Sequence, residues 1–167
     1  MTAAQQSISP EADQEYGKFL VVVDDTPECM KAMQFAARRA RHVGGTVLLL
    51  YIIDPPDFQH WLSVEDVMRE EAREEALELL RGCAVLLEDE VGPRPELVVR
   101  EGKRADQILE LLEEDHAIRY FVLAAGTESE GPGPLVKLFA TQLIGSMPVP
   151  VVIIPGHLTI DQLEEIA

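Results

Sequence analysis

A β-rich run, Phe19-Leu-Val-Val-Val23, ends on two carboxylates, Asp24 and Asp25, and a helix-start signature follows at once. Thr26 offers an N-cap oxygen, and Pro27 suits a first helical position, where no backbone N–H is needed. A buried strand feeding a capped helix is the first half of a βαβ unit. In open α/β sheets ligands bind outside such carboxyl ends. Asp24 and Asp25 therefore stand where such a fold does its work. The plainer alternative makes Asp25 a turn residue and Asp24 a solvated rim residue.

The same alternation continues along the chain. Helix one is predicted from about Pro27 to Val43, with Cys29, Met33, Ala36, Ala37 and Ala40 on one apolar face. Gly44-Gly45 supplies the positive φ that ends a helix. Thr46–Ile53 is nearly all apolar, as expected of a strand in a parallel sheet covered on both faces. Asp54-Pro55-Pro56-Asp57 opens a loop holding Phe58, His60 and Trp61, which either lids the strand end or anchors the next helix. A long helix is predicted from about Val64 to Glu90, with Ser63 as its capping oxygen. Its expected buried face is Val64, Val67, Met68, Ala72, Ala76, Leu79, Leu80, Cys83 and Leu87, and Gly92-Pro93 closes it. Leu97–Arg100 and Tyr120–Ala125 read as strands, Arg104–Glu113 and Pro134–Ile144 as helices, and Val149–Ile154 as a fifth strand. Five strands alternating with four helices predict a doubly wound α/β domain with right-handed crossovers. Residues 1–16 read as an N-terminal arm, 17–156 as the domain, and 157–167 as a C-terminal tail with a short acidic helix.

Composition narrows the function classes. A chain of 167 residues, 47% apolar, has the material for one real core. Its formal charge of −16 repels nucleic-acid phosphates and anionic lipid, so neither is an expected partner. The longest apolar run, Val47 to Ile53, is far too short for a bilayer, and the first ten residues lack the features of a secretory signal. Cys29 and Cys83 lie in predicted helices without metal-like spacing, as in a reduced cytoplasmic protein. The four histidines are scattered near element ends and loops and suggest no ligand set.

The second informative segment is Ala124-Ala-Gly-Thr-Glu-Ser-Glu-Gly-Pro-Gly-Pro134, between a strand and a helix. A glycine-bearing loop there can turn backbone N–H groups toward an anion. Glu128 and Glu130 place negative charge in the same loop, and Pro132 and Pro134 remove two donors. A phosphate cradle and a plain loop are both open readings.

The layout, the ending Val-Val-Val-Asp24, and the closing Pro148-Val-Pro-Val-Val-Ile-Ile154 resemble the universal stress protein family over about residues 18–156. The resemblance implies a five-stranded parallel sheet of order 3-2-1-4-5 with helices on both faces, as in adenine-nucleotide alpha hydrolase-like folds. In nucleotide-binding members an Asp ending strand one contacts adenine, which falls on Asp24, with Asp25 and Thr26 beside it. An apolar residue near the end of strand two lies against base and sugar, which falls on Ile52. Phosphates rest on a Gly-x2-Gly-x9-Gly-Ser/Thr segment after strand four. Here Ala124 stands at the first glycine, and no glycine set in 126–146 has that spacing. Gly126, Gly131 and Gly133 remain as loop candidates, and Thr141 keeps a hydroxyl near the position of the Ser/Thr.

Catalytic readings of Asp24-Asp25-Thr26 fit poorly. A haloacid-dehalogenase loop needs its second Asp where Thr26 stands, and a receiver domain needs an Asp after strand three, where Glu101 lies. The leading expectation is a cytoplasmic universal-stress-type accessory or signalling protein without catalysis. It is expected to dimerise through the edge strand, using Val149, Val151, Val152, Ile153 and Ile154. Two alternatives remain: an ATP- or AMP-binding sensor or slow ATPase, and an acidic protein-interaction module. No metal is expected.

Overall fold

A computed structural model describes residues 16–55, 62–88, 94–129 and 131–167. The N-terminal arm to residue 15, the loop with Phe58, His60 and Trp61, the side chain of Ser63, the Gly92-Pro93 closure and Glu130 lie outside the described residues. The elements follow in the expected alternation. They are β1 (Lys18–Val22), α1 (Cys29–Val43), β2 (Thr46–Ile53), α2 (Leu62–Leu87), β3 (Glu96–Glu101), α3 (Arg104–Glu114), β4 (Ile118–Ala125), α4 (Pro134–Lys137), β5 (Val151–Pro155) and α5 (Ile160–Ile166). The sheet has the order β3-β2-β1-β4-β5, and all four pairings are parallel.

Strand parity divides the core into two layers. Phe19, Val21 and Val23 face a layer closed by α1, by Ala76, Leu80 and Leu87 of α2, and by Leu163 of α5. Leu20 and Val22 face the other layer, with Ile108, Leu111 and Leu112 of α3, Val136, and Phe139 after α4. Both faces are covered, so β1 carries no polar alternation. Below the sheet, Lys18 Nζ reaches Glu96 at 2.6 Å and Asp115 at 2.7 Å. These carboxylates raise the ammonium pKa, outweighing the burial that would lower it.

Three local expectations need correction. Helix one starts at Cys29, and its N-cap is Glu28, whose side chain makes no capping bond. Thr26 is not the cap, because its hydroxyl donates to Asp24 Oδ1 at 2.5 Å. Pro27 therefore sits in the preceding turn. In α2, Val67, Met68 and Leu79 are exposed at 58%, 41% and 37%, against an expected burial. Only Ala76, Leu80 and Leu87 of the expected face are fully buried, while the side chain of Val64 lies outside the described residues. The helix predicted over 134–144 is not uniform. After α4 it widens into a π turn over Leu138–Gln142 and tightens into a 3-10 turn over Ile144–Ser146. Thr141 sits in the π turn with its hydroxyl donating to Lys137 C=O, a backbonding that competes with regular helix. At the other end of α1, Gly44 adopts φ 74°, and Gly45 N–H donates to Ala40 C=O at 2.8 Å.

Candidate functional site: a crevice at the strand ends

The strand order reverses between β1 and β4, where the chain leaves β3 to return on the far side of β1. Such a switch point parts the two following loops and opens a crevice. A cavity of about 530 Å³ lies there, between the first turn of α1 and the loop from Gly126 to Pro134. Its base is Val22, Leu123 and Ala124 from the strands, with Cys29 and Ala32 from α1.

Asp24 is half-buried at the rim and already holds its own turn. Its Oδ1 accepts from Thr26 N–H at 2.9 Å and from the Thr26 hydroxyl. This Asx-type turn fixes the carboxylate in place. Cys29 is buried and donates its thiol to Val22 C=O at 3.6 Å. Burial pushes that thiol up to about 12, so it stays protonated at neutral pH and is no nucleophile.

The opposite wall is built on left-handed backbone. Gly131 has φ 101° and Gly133 φ 97°, conformations that side-chain-bearing residues rarely adopt. Gly126 N–H donates to Pro132 C=O at 3.1 Å, and Gly131 N–H to Glu128 C=O at 3.1 Å, folding the loop onto itself. A Cβ on Gly131 would lie 3.2 Å from Lys137 Cε and 3.3 Å from its Nζ. The Lys137 ammonium thus lies close against Gly131, whose positive φ is what calls for glycine there. Arg104, opening α3, lines the same cavity and lies 3.7 Å from Asp54 at the end of β2.

Of the residues singled out in the sequence, Asp24, Asp25, Thr26, Gly126, Gly131 and Gly133 meet at this cavity. Ile52 and Thr141 do not line it. Ile52 shares the α3-side layer with Val22, Leu123 and Val136, which do line the cavity, but it is buried on β2, one strand further out. Thr141 is exposed on the π turn. Arg104 and Lys137 were not anticipated; each is a base in the first turn of a helix that follows a strand. At the sheet edge, Ile153 is 36% exposed and Val151 and Val152 are half-buried. Ile154 is turned into the core, so its side chain cannot serve an interface, and Val149 precedes β5 and packs on the α3-side layer.

The model of the universal stress protein family matches residues 15–155. Among solved structures, the chain is similar to the universal stress protein UspA of Lactobacillus plantarum, with 20% identity and a TM-score of 0.67, over 83% of this chain and 97% of that one. It is similar to a universal stress protein family member from Burkholderia pseudomallei, with 23% identity, a TM-score of 0.60, and 84% and 96% covered. A third likeness is to a family protein from Arabidopsis thaliana solved with AMP bound, with 18% identity, a TM-score of 0.55, and 87% and 94% covered. At these identities the likeness is one of fold. No curated protein matches the chain.

Proposed function

The chain belongs to the universal stress protein family, and from that premise we propose that it is a non-catalytic, homodimeric signalling domain whose crevice takes an adenine nucleotide. The observation that carries the ligand is the crevice itself. It sits at the switch point, has a volume within the range of small-molecule sites, and joins a fixed Asp24 carboxylate to the cations Lys137 and Arg104. Structures of family proteins are solved with cAMP, dAMP and AMP. Absence of catalysis is supported by the state of the candidate groups. Cys29 stays protonated, Asp24 is committed to its turn, and no polar or charged residue is buried among the described ones. Tuned acid–base groups owe their shifts to burial or to close charges.

Dimerisation is supported by the edge position of β5, which among the described residues bonds only to β4 and shows Ile153 to solvent. A cytoplasmic setting is supported by two free cysteines, and no described helix is long and apolar enough to cross a membrane. The decisive experiment is mass spectrometry of the purified, denatured protein, joined to calorimetry with AMP and sedimentation at micromolar concentration. Released adenine nucleotide or measurable AMP binding, with a dimer mass, is the expected result. No adenine compound and no AMP heat would remove the ligand, and a monomer would remove the interface.

A further inference from the structure

Resting on the reading that the crevice takes an adenine compound, we propose that it selects for low ligand charge, accepting adenosine and its monophosphates and turning away the triphosphate. Among the described residues, the cavity is lined by four carboxylates, Asp24, Asp25, Glu28 and Glu128, against two cations, Arg104 and Lys137. Arg104 lies 3.7 Å from Asp54, so its charge is divided between that carboxylate and the cavity. The Lys137 ammonium lies against Gly131 on the loop wall, the side of the cavity that a first phosphate would reach. A longer polyphosphate would run on along a wall bearing Glu128, where Pro132 and Pro134 have no N–H to offer.

Size does not make this choice. About 530 Å³ is ample for small-molecule ligands generally. Charge does, and the molecule's −16 adds a background of the same sign. Adenosine is neutral, AMP carries about two negative charges and metal-free ATP about four, each phosphate contributing strongly acidic oxygens. One base thus presents a graded series. Repulsion at a partly open crevice is screened within about 10 Å at ordinary ionic strength, which gives the mechanism a signature that a shape filter lacks.

The test is calorimetry with adenosine, AMP and ATP in a chelating buffer, at low and at high salt, on the wild type, Glu128→Gln and Asp25→Asn. Both variants alter exposed residues, and circular dichroism checks their folding. We expect ATP to bind at least about tenfold more weakly than AMP at low salt, about 1.4 kcal/mol. That gap should narrow in high salt and in each variant. ATP binding as tightly as AMP would overturn the selectivity while leaving the adenine site standing. A gap indifferent to salt and to both substitutions would overturn its electrostatic origin. Absence of binding by all three compounds would overturn the site and the selectivity together.

Discussion

Helices α1 and α2 cover the same face of the sheet, yet they do so in opposite ways. In α1 the buried residues Cys29, Ala32, Met33, Ala36, Ala37 and Ala40 form one narrow face, all at 5% exposure or less. Small side chains let that helix approach β1 and β4 closely. In α2 a 26-residue helix buries Ala76, Leu80 and Leu87, while Val67, Met68, Leu79, Val85 and Leu86 remain exposed among glutamates. One helix is a fitted part of the interior, and the other is a cover anchored at a few points. The difference teaches that apolar spacing marks a helix but does not by itself say which edge of a broad apolar face is inside.

Leu80, which has no exposed surface, is one of the points where α2 is held most firmly. Leu80→Ala should cost about 3 kcal/mol of unfolding free energy in urea titration. A loss below about 1 kcal/mol would show that α2 can peel away without touching the core. Next in size is Ala36→Leu, which inserts volume where α1 has none to give. It should destabilise by about 1–3 kcal/mol, read as a drop in Tm. A neutral outcome would mean that α1 packs as loosely as its neighbour.

The two cysteines sharpen the contrast chemically, since Cys29 lies in α1 and Cys83 in α2. Native iodoacetamide labelling should modify half-buried Cys83 first and Cys29 only as the protein unfolds. The Cys29 thiol is raised to about 12 by burial, from an ordinary 9.0. Its neutral form is favoured by the fold, so its contribution is fully present below pH 9.0 and is lost as pH rises from there toward about 12. Equal labelling rates for the two thiols would contradict the burial. The smallest effect belongs to Leu79, 37% exposed. Leu79→Ala should cost under about 1 kcal/mol, and a loss as large as that of Leu80→Ala would place Leu79 in the interior.

Much of the fold is legible in the residues. Thr46–Ile53 reads as a doubly buried strand because it has no polar alternation, and β2 has those same bounds. The face of α1 reads correctly because its apolar positions occupy one side only. In α2 they spread beyond one side, so the period alone turns Val67, Met68 and Leu79 inward although the sheet meets only part of that spread. Helix four was unreadable as a broken element, since the backbonding of Thr141 is a local choice that pattern does not record. At the crevice, Asp24 is visible because a strand end and a turn coincide there. Arg104 and Lys137 look like any solvated bases at helix starts until the crossovers carry those starts to one place. Ile52 is legible as a buried strand-end residue, and it lies in the same layer as the cavity's Val22 and Leu123 but one strand further out.

The central position of β1 also has a temporal meaning. The strand bonds to β2, which follows it closely, and to β4, whose last residue is Ala125. Side chains of α1 reach later still, with Lys31 donating to Gly156 C=O and Arg38 Nη2 lying 2.6 Å from Glu164. During synthesis the earliest strand therefore waits with one edge unpaired until most of the chain has emerged. Contacts of such long sequence separation slow folding, because a large loop must close before they form. The β1–β2–β3 half can assemble from the chain already made, whereas the β4–β5 half completes it from the other side. The crevice, which needs a wall from each half, is consequently among the last parts of the molecule to exist.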